Sequence, residues 1–291
     1  MKVGSNTRVA FQGERGAFSE EAAVKLLGGE VRLVPLSTFE AAFGAIAKGE
    51  ADYILAPIEN SLAGPVHRSF DLLVESPLTI VGEVIIRIAH NLIGPPGGTI
   101  EEVAVVESHP VALAQCERFF SACPSLKRIA TDDTAGSVRE IVQAGDRTRA
   151  AIASKRAAEI YEGQILREHL EDDAENYTRF LLLAPVAEAS PENADKLSLV
   201  FRLAHLPGAP YYALEPFARR NINLMKIESR PVHGLPWQYR FYLDLQATAR
   251  DPEVARALDE LAKLAVDMRI LGSYVSAKTE NSIASQLREQ S

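Results

Sequence analysis

The stretch Asn176-Tyr177-Thr178-Arg179-Phe180 sets a hydroxyl and a guanidinium at the head of an apolar run, Leu181-Leu182-Leu183-Ala184. Such a run reads as a buried strand. Polar residues commonly edge apolar runs, so a solvated strand end is one reading of the pair. The same polar theme recurs at five earlier points where a short apolar run gives way to a helical pattern: Ser19, Asn60-Ser61, Ser108, Asp133-Thr134 and Ser154. A helix start exposes unpaired N–H groups and the positive end of the dipole, worth about 0.3–1 kcal/mol to a well-placed anion. Any one of these residues is ordinarily an N-cap. Five of them on the ligand-facing edge of an α/β sheet, joined by Thr178 and Arg179, suit an anion rich in oxygens. Arginine is the natural bidentate partner for one of its carboxylates.

Other chemistries lack their residues. Gly13-Glu14-Arg15-Gly16 follows the first apolar run without the glycine spacing of a dinucleotide fingerprint, and the chain has no Walker sequence. His67, His90, His109, His169, His205 and His233 show no zinc-ligand spacing. Cys116 and Cys123 lie about two helical turns apart, with neither at a helix start beside a histidine base, and read as reduced thiols. No metal and no cofactor is expected. His109, at a helix start, is either a neutral donor or an ordinary surface residue. Glu59 reads as structural. What remains is a reaction that hydroxyls, amides and an arginine can promote: a primed substrate with its carboxylates fixed and one leaving group protonated.

At 291 residues the chain has room for two domains. Its net charge of −8 argues against non-specific nucleic-acid binding, which needs a basic surface. The start, MKVGSNTRVAFQG, has no apolar core of signal-peptide length, and no stretch approaches the roughly 20 apolar residues of a membrane span. A cytoplasmic protein with no nucleic-acid or membrane partner is expected.

The elements that must hold these residues follow from pattern. Arg8–Gln12 reads as a strand, then a Gly13/Gly16 turn and a helix from Ser19; Val31–Pro35 is a second strand, with Ser37 and Glu40 as a capping box. Tyr53–Ala56 runs into Pro57-Ile58-Glu59-Asn60-Ser61, and a helix covers about Val66 to Val74. Thr79–Leu92 carries the chain elsewhere as one or two strands. The pattern then repeats: Val103–Val106 and a helix through Phe120, a helix from Asp133-Thr134 to Gln143, and Ala150–Ala153 with a helix through Tyr161. Strands alternating with helices predict an α/β architecture of mainly parallel pairing, in two lobes around a cleft. Residues 1–184 form this first domain and 185–196 (PVAEASPENADK) a linker. Residues 197–278 read as strand, helix, two strands, helix, strand, the ferredoxin-like βαββαβ order. Residues 279–291 are a polar tail.

Together these residues carry a resemblance. Phe11-Gln12-Gly13 with Gly16-Ala17-Phe18-Ser19, Pro57-Ile58-Glu59-Asn60-Ser61 with Gly64, Glu107-Ser108-His109-Pro110, Asp133-Thr134-Ala135 and Asn176-Tyr177-Thr178-Arg179-Phe180 resemble the prephenate dehydratase family, in order and at suitable spacing. Glu228-Ser229-Arg230-Pro231, after Ile222-Asn223-Leu224, is similar to the segment that family carries in its ACT regulatory domain. The resemblance implies a two-lobed catalytic domain like the periplasmic binding proteins, followed by an ACT domain. It implies conversion of prephenate to phenylpyruvate, water and carbon dioxide, in phenylalanine biosynthesis. The catalytic threonine falls on Thr178, whose hydroxyl would assist departure of the ring hydroxyl, and Arg179 would hold a carboxylate or orient the site. Asn60, Ser61, Ser108, Thr134 and Ser154 are the expected polar lining. Strand alternation places Phe180 on the face of Thr178 and turns Arg179 away, so the strand must be irregular if both Thr178 and Arg179 line the cleft.

The ACT resemblance implies phenylalanine as an effector, bound between subunits by Gly208, Ala209, Glu228, Ser229 and Arg230. Here Gly208-Ala209-Pro210 departs from the family's Gly-Ala-Leu. Proline is comfortable in a first helical turn but removes an N–H that a carboxylate could use. A homodimer or homotetramer is expected, and the absence of a chorismate mutase segment before Val9 suggests a single activity. Two other readings stay open: an arogenate dehydratase, which takes an amino group where prephenate has a keto group, and a non-catalytic amino-acid or dicarboxylate sensor.

Overall fold

The computed structural model of the chain describes residues 4–185 and 190–278. Part of the expected linker (residues 186–189) and the expected polar tail (279–291) lie outside the described residues. The described residues fall into two compact units, one comprising the chain up to Leu72 with Val84–Leu181, the other Leu73–Glu83 with Leu182–Ala277.

The first lobe opens with β1 (Arg8–Gln12), α1 (Phe18–Leu27), β2 (Arg32–Leu36), α2 (Phe39–Gly44), β3 (Tyr53–Asn60), β4 (Gly64–Pro65), α3 (His67–Glu75) and β5 (Leu78–Arg87). The second lobe contains β6 (Asn91–Gly94), β7 (Val105–Ser108), α4 (Pro110–Ala114), α5 (Glu117–Ala122), β8 (Lys127–Ala130), α6 (Thr134–Ala144), β9 (Arg149–Ala153), α7 (Lys155–Tyr161) and β10 (Gln164–Arg167). The chain returns in β11 (Tyr177–Pro185). The last elements are β12 (Lys196–Leu203), α8 (Ala209–Ala218), β13 (Leu224–Pro231), β14 (Tyr239–Leu245), α9 (Pro252–Leu264) and β15 (Ala265–Tyr274).

The first sheet has the order β2-β1-β3-β11-β5, with β4 paired to β3. The strands β1, β2 and β3 run parallel, and their apolar residues Val9, Phe11, Ile54 and Leu55 are fully buried. Burial of each such side chain stabilises the fold by about 1.5–3 kcal/mol. The second sheet has the order β10-β6-β9-β7-β8, parallel through β7, β8 and β9 and antiparallel at β6 and β10. Leu92, Val106, Ala150 and Ile152 form its core with Phe119 and Phe120.

The two lobes meet where Gly16 approaches α7. The turn needs φ +84° at Gly16, and a Cβ there would stand 2.7 Å from the Cα of Ala157. Glycine answers both demands at once. Ser154 closes the joint: its hydroxyl donates to the Gly16 carbonyl at 2.6 Å and accepts from the Ala157 N–H at 3.0 Å.

In the other unit the four strands β13-β14-β12-β15 pair antiparallel, with α8 and α9 over one face. This is the βαββαβ order expected from the sequence. Leu73–Glu83 belongs to the same unit, a segment that a boundary at residue 184 does not anticipate. Arg269 holds it by donating to the carbonyls of Val74 (3.2 Å), Ser76 (2.7 Å) and Leu78, while the Thr79 hydroxyl donates to the Leu271 carbonyl at 2.8 Å. The boundary between the units falls within α3, β5 and β11.

Candidate active site

A cavity of about 490 Å³ lies within the two-lobed unit. Phe18 and Ser19 at the start of α1 reach it from the first lobe, and Thr134 at the start of α6 from the second. The first N–H groups of a helix have no partner inside it, so α1 and α6 present donors and positive dipole ends to this space. Asp133 caps α6 by accepting from the Gly136 N–H at 2.6 Å. Neither lysine nor arginine is among the residues lining the cavity. An anion here would meet amides, hydroxyls, helix ends and the imidazoles of His90 and His109, with the carboxylates of Asp132 and Asp133 also on the lining.

Thr178 and Phe180 enter the lining from β11. The orientation of the Thr178 hydroxyl follows from Asn60. The Asn60 side-chain oxygen accepts from the N–H groups of Leu62 (3.0 Å) and Ala63 (2.8 Å), which fixes which end of the amide is which. Its nitrogen therefore faces β11 and donates to Thr178 Oγ1 at 2.9 Å, to Asn176 Oδ1 at 2.7 Å and to the Tyr177 carbonyl at 3.1 Å. With its oxygen already accepting from Asn60, the Thr178 hydroxyl keeps its own hydrogen to donate. Asn60 reaches this point because β3 runs on past the apolar stretch Tyr53–Ala56 and ends at Asn60 itself.

The amide chain continues. Asn176 Nδ2 donates to Gln115 Oε1 at 3.0 Å, and His90 Nε2 lies 2.9 Å from the same oxygen. Because Gln115 Oε1 is the acceptor for Asn176, the imidazole proton sits on His90 Nε2. Burial pushes the His90 ring below the ordinary histidine value, against the opposing effects of Gln115 and Glu171. His90 is therefore neutral in the physiological range. The segment Leu170–Asp172 sets both residues. Glu171 accepts from the His90 N–H at 2.8 Å, the Leu170 N–H donates to the His90 carbonyl, and the Asp172 N–H donates to the Gln115 carbonyl. Asp172 also accepts from the N–H groups of Glu117 and Arg118, which starts α5 afresh and leaves Gln115 in the break after α4.

The expected site residues separate into two groups. Asn60, Thr134 and Thr178 are among the cavity's lining. Arg179, Ser61, Ser108 and Ser154 are not, and each has a physical reason. Arg179 lies between Thr178 and Phe180 at the head of β11, where burial alternates over Tyr177–Phe180, so it faces the other way, with Nη1 3.8 Å from Glu59 Oε2. No strand distortion is needed. The Ser61 hydroxyl donates to the Glu175 carbonyl at 2.8 Å and accepts from the Tyr177 N–H at 2.9 Å, tying the turn after β3 to the head of β11. Ser108 ends β7, fully buried, with its hydroxyl on the Ile152 carbonyl at 2.6 Å; the cap of α4 is His109. Ser154 is the buried cap of α7 described above. Two further caps move by a residue or two: Ala17 precedes α1, placing Ser19 inside it, and Thr38 rather than Ser37 caps α2 by accepting from the Ala41 N–H.

Gln115 and His90 are among the polar lining residues that sequence pattern missed. Gln115 sits inside an apparently continuous helical stretch from 110 to 120, and only the remote Asp172 reveals the break. His90 lies in an apolar run and carries no spacing signal.

In the other unit, Gly208 caps α8 at φ +76°, and Ala209 and Pro210 line a small cavity of about 260 Å³ with Leu206, Trp237 and Tyr239. Glu228, Ser229 and Arg230 lie on the sheet-edge strand β13 and are not among its lining. Among the described residues no helix is long and apolar enough to cross a membrane, and no group of three or more His, Cys, Asp or Glu is placed to hold a metal ion.

A two-lobed α/β domain with an oriented hydroxyl, amides and helix starts around one cavity is the arrangement of an enzyme that acts on a small molecule. The family model for prephenate dehydratase matches residues 9–188, and the chain belongs to the prephenate dehydratase family. It is 43% identical over 282 residues to arogenate dehydratase/prephenate dehydratase 2, chloroplastic, of Arabidopsis thaliana, covering 93% of this chain and 73% of that protein. Among solved structures, the prephenate dehydratase of Arthrobacter aurescens in complex with L-Phe superposes with a TM-score of 0.86 at 29% identity, over 98% of both chains. GqqA, described as a novel type of quorum quenching acylase, superposes with a TM-score of 0.85 at 35% identity, over 92% of this chain and 98% of that one.

Proposed function

We propose that Thr178 is the group that releases the ring hydroxyl of prephenate in this enzyme. The observation that carries the reading is the fixed Asn60 amide, which occupies the Thr178 oxygen and leaves the hydroxyl hydrogen to donate. In the reaction the bond from the ring to its carboxylate breaks, and that electron pair enters the ring. The C4–O bond breaks at the opposite end. The departing oxygen takes up a proton, so the prephenate dianion and one proton give the phenylpyruvate anion, carbon dioxide and water. Aromatisation supplies the driving force, so a weak acid suffices, and a hydrogen-bond donor is needed only as charge develops on oxygen. The scarcity of cationic side chains in the cavity supports the same reading, since a tightly paired ring carboxylate would resist losing carbon dioxide. The side-chain carboxylate then falls to the N–H groups starting α1 and α6. Arg179 acts from behind the strand as a positioning residue through Glu59.

The second unit serves as an ACT regulatory domain whose effector is phenylalanine. Support comes from its βαββαβ order and from the L-Phe bound by the Arthrobacter aurescens relative. Gly208 and Ala209 start α8 while Glu228, Ser229 and Arg230 lie on an edge strand, an arrangement suited to a site completed by a second subunit. The enzyme works as a cytoplasmic homodimer or homotetramer.

The test is incubation of the purified protein with prephenate and, separately, with arogenate, following phenylpyruvate and phenylalanine. Faster turnover of prephenate is expected. A preference for arogenate would transfer the assignment to the amino substrate, and turnover of neither by folded protein would remove it.

A further inference from the structure

His90 is 2% exposed, lines the cavity, and has one ring nitrogen committed. Nε2 donates to Gln115 Oε1, whereas Nδ1 is a buried polar atom with no hydrogen-bond partner. In the tautomer that Gln115 imposes, Nδ1 is a lone-pair acceptor. The Phe18 ring packs edge-on against the imidazole, centroid to centroid at 5.7 Å, and brings no N–H or O–H donor. An unmet buried acceptor is costly, and it discriminates between a ligand that brings a donor and one that does not.

We infer that His90 Nδ1 is the acceptor for the hydrogen of the departing ring hydroxyl, whose oxygen takes the hydrogen bond of Thr178 on the same cavity lining. The inference rests on the prephenate reading above. A hydroxyl has a lone pair for Thr178 and a hydrogen for His90, and no carboxylate or keto oxygen of the substrate brings such a hydrogen. The contact strengthens along the reaction: as the oxygen takes up a proton and becomes water, its remaining hydrogen becomes a stronger donor. Because arogenate carries the same ring hydroxyl, His90 reads the leaving group and not the keto or amino end.

The experiment compares two inhibitors in binding by calorimetry: a ring-saturated prephenate analogue that keeps the C4 hydroxyl, and the same molecule without it. The variants are His90→Gln, whose amide nitrogen overlays Nε2 and keeps the bond to Gln115, and His90→Phe. The wild type is expected to favour the hydroxylated analogue about tenfold, the scale of one buried hydrogen bond. In both variants that preference disappears, and His90→Gln turns over prephenate at least tenfold more slowly with an unchanged melting temperature. If His90→Phe fails to fold, His90→Gln alone carries the comparison. A variant that folds and retains the tenfold preference overturns the inference. Failure of the wild type to turn over prephenate would instead strike the functional reading on which it rests.

Discussion

Asn60 Nδ2 donates to Thr178 Oγ1 at 2.9 Å, and the backbone N–H groups of Leu62 and Ala63 leave that amide no alternative orientation. The relationship makes a directional prediction. Asn60→Asp keeps the acceptor for Leu62 and Ala63 but turns the second atom from donor to acceptor, so Thr178 would spend its hydrogen on the new carboxylate instead of the substrate. We expect kcat to fall at least a hundredfold in Asn60→Asp, as far as in Asn60→Ala or further, with a lower melting temperature because the new oxygen also faces Asn176 Oδ1 and the Tyr177 carbonyl. Steady-state kinetics with circular dichroism melts checks it. Equal activity of Asn60→Asp and wild type would show that hydroxyl direction is immaterial.

The hydroxyl itself is tested by Thr178→Ala and Thr178→Ser. Removing it should lower kcat by about 10²–10⁴, the usual range for a proton-donating group. Serine restores the oxygen at the same Cβ, so it should recover most of the rate, with the remaining loss set by freedom about χ1 that the Thr methyl restricts. An alanine variant within tenfold of wild type would sink the assignment.

Glu20 gives the joint between the lobes a pH signature. Its carboxylate is fully buried and accepts from Arg15 at 2.8 Å, from the Gly16 N–H at 3.1 Å and from Arg156 at 3.0 Å. Burial works to raise its pKa, but the Arg15, Gly16 and Arg156 hydrogen bonds together hold it below the ordinary 4.5. A depressed folded pKa means stability that is present above about 4.5 and is lost as pH falls through the lower folded value. Wild type should therefore lose melting temperature as pH drops below about 4.5 more steeply than Glu20→Gln. At neutral pH Glu20→Gln should be less stable by about 2 kcal/mol, the scale of charge-assisted hydrogen bonds with half-exposed arginines. Thermal melts at pH 7 and across pH 3–5 decide it; parallel curves for the two proteins would contradict the role given to Glu20.

The fold was legible wherever a period was long enough to read. The apolar runs of β1, β9 and β11 and the capped start of α6 stand where pattern puts them. The edge strands β8 and β10 did not show, because an edge strand of four residues is largely exposed and carries no apolar run. Helix starts were placed to within a residue or two, and of their polar residues Ser19 and Thr134 reach the cavity whereas Ser108 and Ser154 do not. Ser108 and Ser154 face buried carbonyls of neighbouring strands and turns, partners that only the folded chain supplies. Gln115 was hidden for the converse reason: its position depends on Asp172, more than fifty residues away. Arg179 was legible in part, since the alternation that excludes it from the cavity was already implicit in the spacing of Thr178 and Phe180.

Pro210 offers a test of the effector site that leaves catalysis alone. It is the second residue of α8, where the Ala209 N–H already donates to the Leu206 carbonyl at 3.2 Å and the Tyr212 N–H to the Gly208 carbonyl at 3.1 Å. Proline supplies no N–H, so the first turn is short of one donor for an amino-acid carboxylate. Pro210→Leu returns that donor at a position compatible with helix. It should lower the phenylalanine concentration for half-maximal inhibition about tenfold, the value of one hydrogen bond to a carboxylate, while kcat without phenylalanine stays unchanged. Inhibition titrations of the two proteins, with subunit mass followed by light scattering, measure both quantities. An unmoved midpoint would mean that phenylalanine, where it inhibits, takes its carboxylate contacts elsewhere.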